Sequence, residues 1–237
     1  MLQIWFIDKA FEGSNIYTVE DIPDDIDVMV LSHDHWDHLD YDMVRKIEPK
    51  VRCVVTGLGN GGYYEKWGYL PEKIREEDWD TEVVIDKDLS VWVLPAKHFS
   101  GRLLPRNQTL FAGFAFITPD RKVYYTGDGG YDGRFKRIGE QFDLALVEDG
   151  QYNEAWHGVH MMPEESALAG EELQAAAVIP CSNGKYPLSV YRWKEPYERI
   201  AEASKGKSYR LIMPMIGELV EIGNREQTFT NWWEGME

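Results

Sequence analysis

Three features of this sequence predict an α/β fold. Short apolar runs rich in β-branched residues recur along the chain and end at glycines or at polar loops. Stretches with helical patterning alternate with those runs. No repeat, low-complexity tract or linker interrupts the alternation, so residues 1–237 read as one domain with helices packed outside sheets.

Taken in order, "DVMVLS" (27–32) is the first clear strand, and it ends at a histidine-rich loop. "YDMVRKIE" (41–48) has a helical pattern, and "VRCVVTG" (51–57) is a strand closed by glycine. "NGGYYEKWGYLPEKIREED" (60–78) is polar, broken by glycines and helical only in part. "TEVVID" (81–86) and "LSVWVLPA" (89–96) are strands, followed by the loop "KHFSGRLLPRN" (97–107). "TLFAGFAFITPDRKVYYTGD" (109–128) holds two strands around a Pro-Asp turn, the pattern of a hairpin. "DLALVED" (143–149) is another strand. "MPEESALAGEELQAAAV" (162–178) is a helix, with proline near its start, glutamate in its first turn and alanine through its body. "VIPCS" (178–182) is a strand, and "WKEPYERIAEASKGK" (193–207) is a helix ended by Lys-Gly. "SYRLIMP" (208–214) and "GELVEI" (217–222) close the series as strands.

Composition narrows the function. With 43% hydrophobic residues the chain can bury a sizeable core. Mean hydropathy is −0.44. No run of about eighteen apolar residues exists, so no transmembrane segment is expected. The first residues, "MLQIWFIDKAFEGSNIY", lack a basic region followed by a long apolar run, so no signal peptide and a cytoplasmic location are expected. Cys53 and Cys181 are too few for a disulfide framework and point to a reducing compartment. A formal net charge of −16 with no basic stripe argues against a nucleic-acid partner.

The chemistry concentrates in "SHDHWDHLDY" (32–41), which holds three of the six histidines. The pattern is His33-x-His35-x-Asp37-His38, on a loop leaving an apolar strand, where a scaffold can aim side chains into a cleft. Two histidines spaced by two point the same way from an extended chain. Asp37 and His38 follow on a tightening turn and can reach a second ion. Imidazole with carboxylate suits zinc or a related first-row metal. A solvated polar loop is the plainer reading, but four donors in this order directly after an apolar strand favour a metal site. His98 leaves the strand "LSVWVLPA" and Asp128 leaves "KVYYTG", both at loop mouths. Gly127, Gly129 and Gly130 let the backbone turn sharply beside Asp128. Alone, His98 reads as a packed or surface histidine and Asp128 as a turn residue; beside the cluster, both become ligand candidates.

Together "SHDHWDHLD", "LPAKHFSGR", "YYTGDGGY", "HMMPEE" and "IPCSNGKY" resemble successive segments of the metallo-β-lactamase-fold hydrolases. They are most similar to the branch with the N-acylphosphatidylethanolamine-hydrolysing phospholipase D and the ascorbate-6-phosphate lactonases. The resemblance covers residues 9–217 and is specific for the superfamily, much less so for substrate. It implies an αββα sandwich of two mixed sheets with outer helices. It implies that His33, His35 and His98 hold one metal, that Asp37 and His38 hold another, and that Asp128 bridges the two. One or two zinc ions are expected, with manganese or iron as alternatives. His160, before the helix start at "MPEE", is implied to contact the substrate's phosphate or assist the leaving group. The implied function is metal-dependent hydrolysis of a phosphodiester, ester or lactone through a metal-bound hydroxide that Asp37 helps to orient. The implied substrate is a small-molecule or lipid-like phosphorylated compound.

Two departures stand against the family pattern. Relatives place their last metal-binding histidine after the Pro-x pair of "IPCSNGKY", where this chain has Ser182 after Pro180-Cys181. Serine is a poor neutral ligand for zinc, so the second site is expected to be weak. Cys181 could substitute as a thiolate, although strand alternation turns it toward the core. The family's N-terminal strands are also not found before "KAFEGSNIY", which would expose a sheet edge for a partner chain and leaves a homo-oligomer open. Both departures support an alternative function, a non-catalytic metal-binding or interaction protein on the same fold. Trp36 and Trp156 flank the proposed ligands and are expected to line a pocket. Arg102 and Arg106 are read equally as receivers of an anionic substrate group and as solvated loop residues.

Overall fold

The computed structural model describes residues 10–14, 16–102, 106–186 and 189–236. The expectation about missing N-terminal strands falls on residues 1–9 and lies outside the described residues. Contacts divide the chain into two compact units, one of Tyr17–Asp128 and one of Met1–Ile16 with Gly129–Glu237.

The Tyr17–Asp128 unit is layered. Strands β1 (Ile26–Leu31), β2 (Val51–Gly57) and β3 (Ile74–Glu77) form a parallel sheet in that order. Helices α1 (Tyr41–Ile47) and α2 (Gly61–Lys66) lie in the two crossovers that parallel pairing requires. Asp40 caps α1, its carboxylate accepting the Met43 N–H at 2.7 Å. On one side of the sheet Leu31 and Val54 pack with Val44, Ile47, Tyr64 and Tyr69. On the other, Cys53 and Val55 meet Val83, Val91, Val93, Ala112 and Phe114. These come from the antiparallel strands β4 (Thr81–Val84), β5 (Ser90–Pro95) and β6 (Ala112–Ile117), which β7 (Lys122–Tyr125) continues. Period-two alternation sends Val54 one way and Val55 the other, and because both faces are covered the strand reads as a continuous apolar run. Val55, Val91, Val93 and Phe114 are fully buried, each contributing about 1.5–3 kcal/mol of hydrophobic stabilisation.

Strand β3 departs from the sequence reading, which made 60–78 a partly helical stretch. Only Ile74 of "IREE" is apolar. Among the described residues the strand pairs with β2 alone, through Val54↔Ile74 to Gly57↔Glu77, and such an edge strand needs no apolar alternation.

In the unit holding 129–237, strands β8 (Leu144–Glu148), β9 (Ala177–Cys181) and β10 (Arg210–Leu211) pair in parallel in the order β10-β9-β8. Helix α3 (Phe135–Ile138) is a single turn, and α4 (Pro163–Glu172) and α5 (Glu195–Ala203) are longer. Ala167, Tyr197, Ile200, Met213 and Trp233 form the core of this unit. Helix α4 stops at Glu172, short of the expected end, because Gln174 turns left-handed at φ +50°. Ala175 and Ala176 lead instead into β9, which starts at Ala177 and pairs Val178 with Ala145; strand pairing outweighs alanine's helix preference. "GELVEI" is not a strand. Gly217 and Gly223 sit at φ +96° and +90°, and the Glu221 N–H goes to the Gln227 side chain at 2.9 Å.

Candidate metal centre

The loop after β1 is pinned before it carries any chemistry. The Thr56 hydroxyl donates to the Leu31 carbonyl at 3.2 Å, and the Ala112 N–H donates to the Ser32 carbonyl at 2.8 Å. His33 follows, fully buried, its Nδ1 3.0 Å from the Ser32 hydroxyl. The N–H groups of His38 and Leu39 both return to the His35 carbonyl, at 3.2 and 3.0 Å, and close the turn that carries Asp37 and His38. His98 enters three residues beyond β5. Asp128 enters beyond β7, after Gly127 at φ +62°. A Cβ on Gly127 would lie 2.8 Å from both the Ala112 carbonyl oxygen and the Ser32 Cβ, so this close approach requires glycine.

All of this lies within Tyr17–Asp128, and it brings two donor groups together. The His35 Nδ1 lies 2.9 Å from the His33 Nε2 and 3.2 Å from the His98 Nε2. Four ligands around zinc at 2.0–2.1 Å in tetrahedral array stand about 3.3 Å apart, so this spacing is close to that of a zinc-class site. His33, His38 and Asp128 form a second group, the His38 Nε2 lying 2.9 Å from an Asp128 carboxylate oxygen. In each group the donor atoms lie within 4.8 Å of one another. Burial pushes the His33 imidazole well below its ordinary pKa and also lowers that of His35. The rings are thereby held neutral with lone pairs to offer, the form a cation needs. The residues present therefore fit a metal ion. Asp37 is more peripheral. Its carboxylate is 3.6 Å from the His38 Nε2, and among the described residues it falls in neither group.

The remaining candidates belong to the 129–237 unit. Glu148, at the end of β8, is fully buried. One of its carboxylate oxygens meets the His160 Nδ1, and the other accepts the Gly129 N–H at 2.5 Å. His157 instead meets both carboxylate oxygens of Glu165 at 2.9 Å, on the surface. Cys181 is half-buried and Cys53 buried, and no disulfide joins them. Ser182 is left-handed at φ +61°. The neighbouring turn packs against it: a Cβ on Gly150 would lie 1.9 Å from the Ser182 carbonyl oxygen. The Trp156 indole is 38% exposed and donates to the Gln151 carbonyl at 2.6 Å. Asp149 is fully buried, and neither carboxylate oxygen has a hydrogen-bond partner among the described residues. Burial, with Glu148 beside it, pushes its carboxyl well above the ordinary range.

Arg102 is neither a solvated residue nor one turned to an anion. Its guanidinium is half-buried, donates to backbone carbonyls of the histidine loop and lies 4.1 Å from the centre of the Trp36 ring. Trp36 itself is 40% exposed. Sequence reasoning missed Asp34, Tyr63 and Glu148. Asp34 and Glu148 carry a signal, a carboxylate at the end of an apolar strand; Tyr63 carries none, since its contact lies 29 residues back.

Comparison with known proteins bears on the family and the fold. Residues 13–181 match the family model described as a β-lactamase superfamily domain. An uncharacterised Mycobacterium tuberculosis protein is 37% identical over 83% of this chain and 54% of its own length. N-acyl-phosphatidylethanolamine-hydrolyzing phospholipase D 1 of Caenorhabditis elegans is 32% identical over 87% of this chain and 64% of its own length. The chain thus spans between about half and two thirds of these relatives. Among solved structures, the metallo hydrolase Igni18 of Ignicoccus hospitalis superposes with a TM-score of 0.63 at 18% identity, over 81% of this chain and 78% of that one, a likeness of fold. The α/β architecture, the histidine loop leaving β1 and the matched span together show that the chain belongs to the β-lactamase superfamily domain family, with the metallo-β-lactamase fold.

Proposed function

We propose that this protein is a metal-dependent hydrolase acting on a phosphodiester, with carboxylic esters and lactones as the next substrate classes. The observation that carries the reading is the convergence of the His33, His35 and His98 nitrogens, with His38 and Asp128 alongside. When bound, a zinc-class ion supplies Lewis acidity and makes water acidic enough to deliver hydroxide near neutral pH. His33, His35 and His98 would hold the first ion, and His38 and Asp128, joined by Asp37, would hold a second. Asp128, grouped with His33 and His38, would supply the carboxylate that bridges the two ions. Asp37, the more exposed carboxylate, would orient the attacking water. His160 would take the substrate's anion or assist the leaving oxygen, its ring oriented by Glu148. The phosphodiester is placed first because the Caenorhabditis elegans relative carries the name of a phospholipase D. A small-molecule or lipid-like phosphorylated compound is the proposed substrate. A charge of −16 argues against nucleic acid.

A second reading is a metal-binding protein without catalysis. Ser182, which stands where the family resemblance implies a histidine, favours it. The two readings separate when protein purified without added metal is assayed for metal content and for turnover of bis(p-nitrophenyl) phosphate, p-nitrophenyl acetate and a simple lactone. Bound metal with phosphodiesterase turnover supports the proposal. Bound metal with no turnover of any probe supports the second reading, and no metal at all overturns both.

A further inference from the structure

We propose that Arg102 and Asp34 are positioning residues, a two-way latch that holds the loop after His98 against the loop carrying His33, His35, Asp37 and His38 and so sets the spacing of the three imidazoles. The proposal rests on the reading of His33, His35 and His98 as metal ligands and adds residues that touch neither metal nor substrate.

The latch runs in both directions. From the His98 side, the Arg102 Nε–H donates to the Asp34 carbonyl at 2.9 Å, and its Nη2 donates to the Leu39 carbonyl. Those two carbonyls bracket residues 35–38. A planar guanidinium spans them as a fork; an ammonium, a single point charge, cannot. In return, the Asp34 side chain reaches back. One carboxylate oxygen accepts the Gly101 N–H at 2.6 Å and the other accepts the Tyr63 hydroxyl at 2.9 Å. The Trp36 indole N–H donates to the Arg102 carbonyl at 3.1 Å.

Burial makes these contacts strong. Asp34 is 1% exposed, and a carboxylate taken out of water is tolerated only when its oxygens are bonded. Around Arg102 stand three aromatic rings, Trp36 at 4.1 Å and Tyr63 and Trp67 at 5.6 Å. They cover part of the guanidinium and add cation–π attraction.

The consequence for the centre is geometric. Nothing local ties His98 to His35, because 63 residues separate them. A metal ion accepts nitrogens only near 2.0–2.1 Å, so a shift of about half an ångström between the loops would unmake the site. Partners outside the ligand set typically hold a 10–100-fold share of metal affinity.

The test uses the full chain and two metals. Zinc affinity is measured by competition with a chromophoric chelator, and the cobalt(II)-loaded protein is followed by its visible absorption, which reports ligand geometry. The variants are Arg102→Gln, Arg102→Lys, Asp34→Ala, Asp34→Asn and Tyr63→Phe. Zinc affinity should fall roughly 10–100-fold in Arg102→Gln and Asp34→Ala, with altered cobalt bands. Arg102→Lys should fail to rescue, since it keeps the charge and loses the fork. Asp34→Asn should lie between Asp34→Ala and the parent, because its amide oxygen still accepts a bond. Tyr63→Phe should show the smallest loss. If Arg102→Gln or Asp34→Ala does not fold, Arg102→Lys and Tyr63→Phe carry the comparison. Zinc affinity within twofold of the parent and unchanged cobalt bands across the folded variants overturn the latch while leaving the ligand assignment intact. Undiminished metal in His35→Ala overturns the ligand assignment, and the latch with it.

Discussion

Gly150→Ala probes the turn that holds Ser182 in place. The added Cβ would stand 1.9 Å from the Ser182 carbonyl oxygen, 2.6 Å from its carbon and 3.2 Å from the Asn183 Cα. Real Cβ contacts stay above 3.0 Å, so the two turns must part by about 1 Å. The obstacle is backbone, and rotamer changes cannot relieve it. Two bonds across the gap would be lost or badly stretched, the Asp149 N–H to the Cys181 carbonyl at 2.9 Å and the Gln151 amide to the Ser182 carbonyl at 3.3 Å. A buried bond lost without replacement costs about 1–3 kcal/mol, which puts the expected loss near 3 kcal/mol. For a chain of this length that lowers Tm by about 6–12 °C. The control is Gly158→Ala, whose Cβ would meet no heavy atom within 4 Å. Its effect should stay within about 0.5 kcal/mol. Thermal melts by circular dichroism, repeated as urea titrations, decide the matter. A Gly150→Ala melt indistinguishable from that of Gly158→Ala would refute the claim that this turn is built on a backbone contact.

Asp128→Asn keeps the side chain's shape and removes its charge. Hydrolysis should fall by two or more orders of magnitude, roughly the scale on which electrostatic groups act in catalysis, while the melt stays near the parent's; turnover equal to the parent's would remove the bridging role. Ser182→His should raise metal content toward two ions per chain, from a parent value below two whose second ion is lost first on dialysis. Elemental analysis checks it, and two tightly held ions in the parent would show that another group fills the position. Asp149→Asn should stabilise the protein increasingly as pH rises. The folded carboxyl titrates well above its ordinary value, so above about pH 4 the unfolded chain releases a proton that the folded one keeps, and stability falls with rising pH. Urea midpoints at pH 5.5 and 8 should show a gain that is larger at pH 8; equal midpoints for parent and variant at both would overturn it.

What the sequence determined by itself is the local and repeated part of this protein. His33, His35 and His38 are legible because they lie within six residues on a loop leaving an apolar strand, and side-chain direction there follows from the backbone. Strands β1, β2 and β5 are legible because burial imposes an apolar pattern on them. The tertiary structure alone decided the rest, because those contacts join segments far apart in the chain. No pattern marks "IREE" as a strand until β2 supplies its partner. Alanines 175–177 look helical until Gln174 turns left-handed and β8 offers an edge. Arg102 is a loop arginine like Arg106 until the fold brings the Asp34 and Leu39 carbonyls to it across more than sixty residues. Spacing along a chain foretells which way a side chain points from its own backbone, and a partner brought in from far away is set by packing that no short stretch encodes.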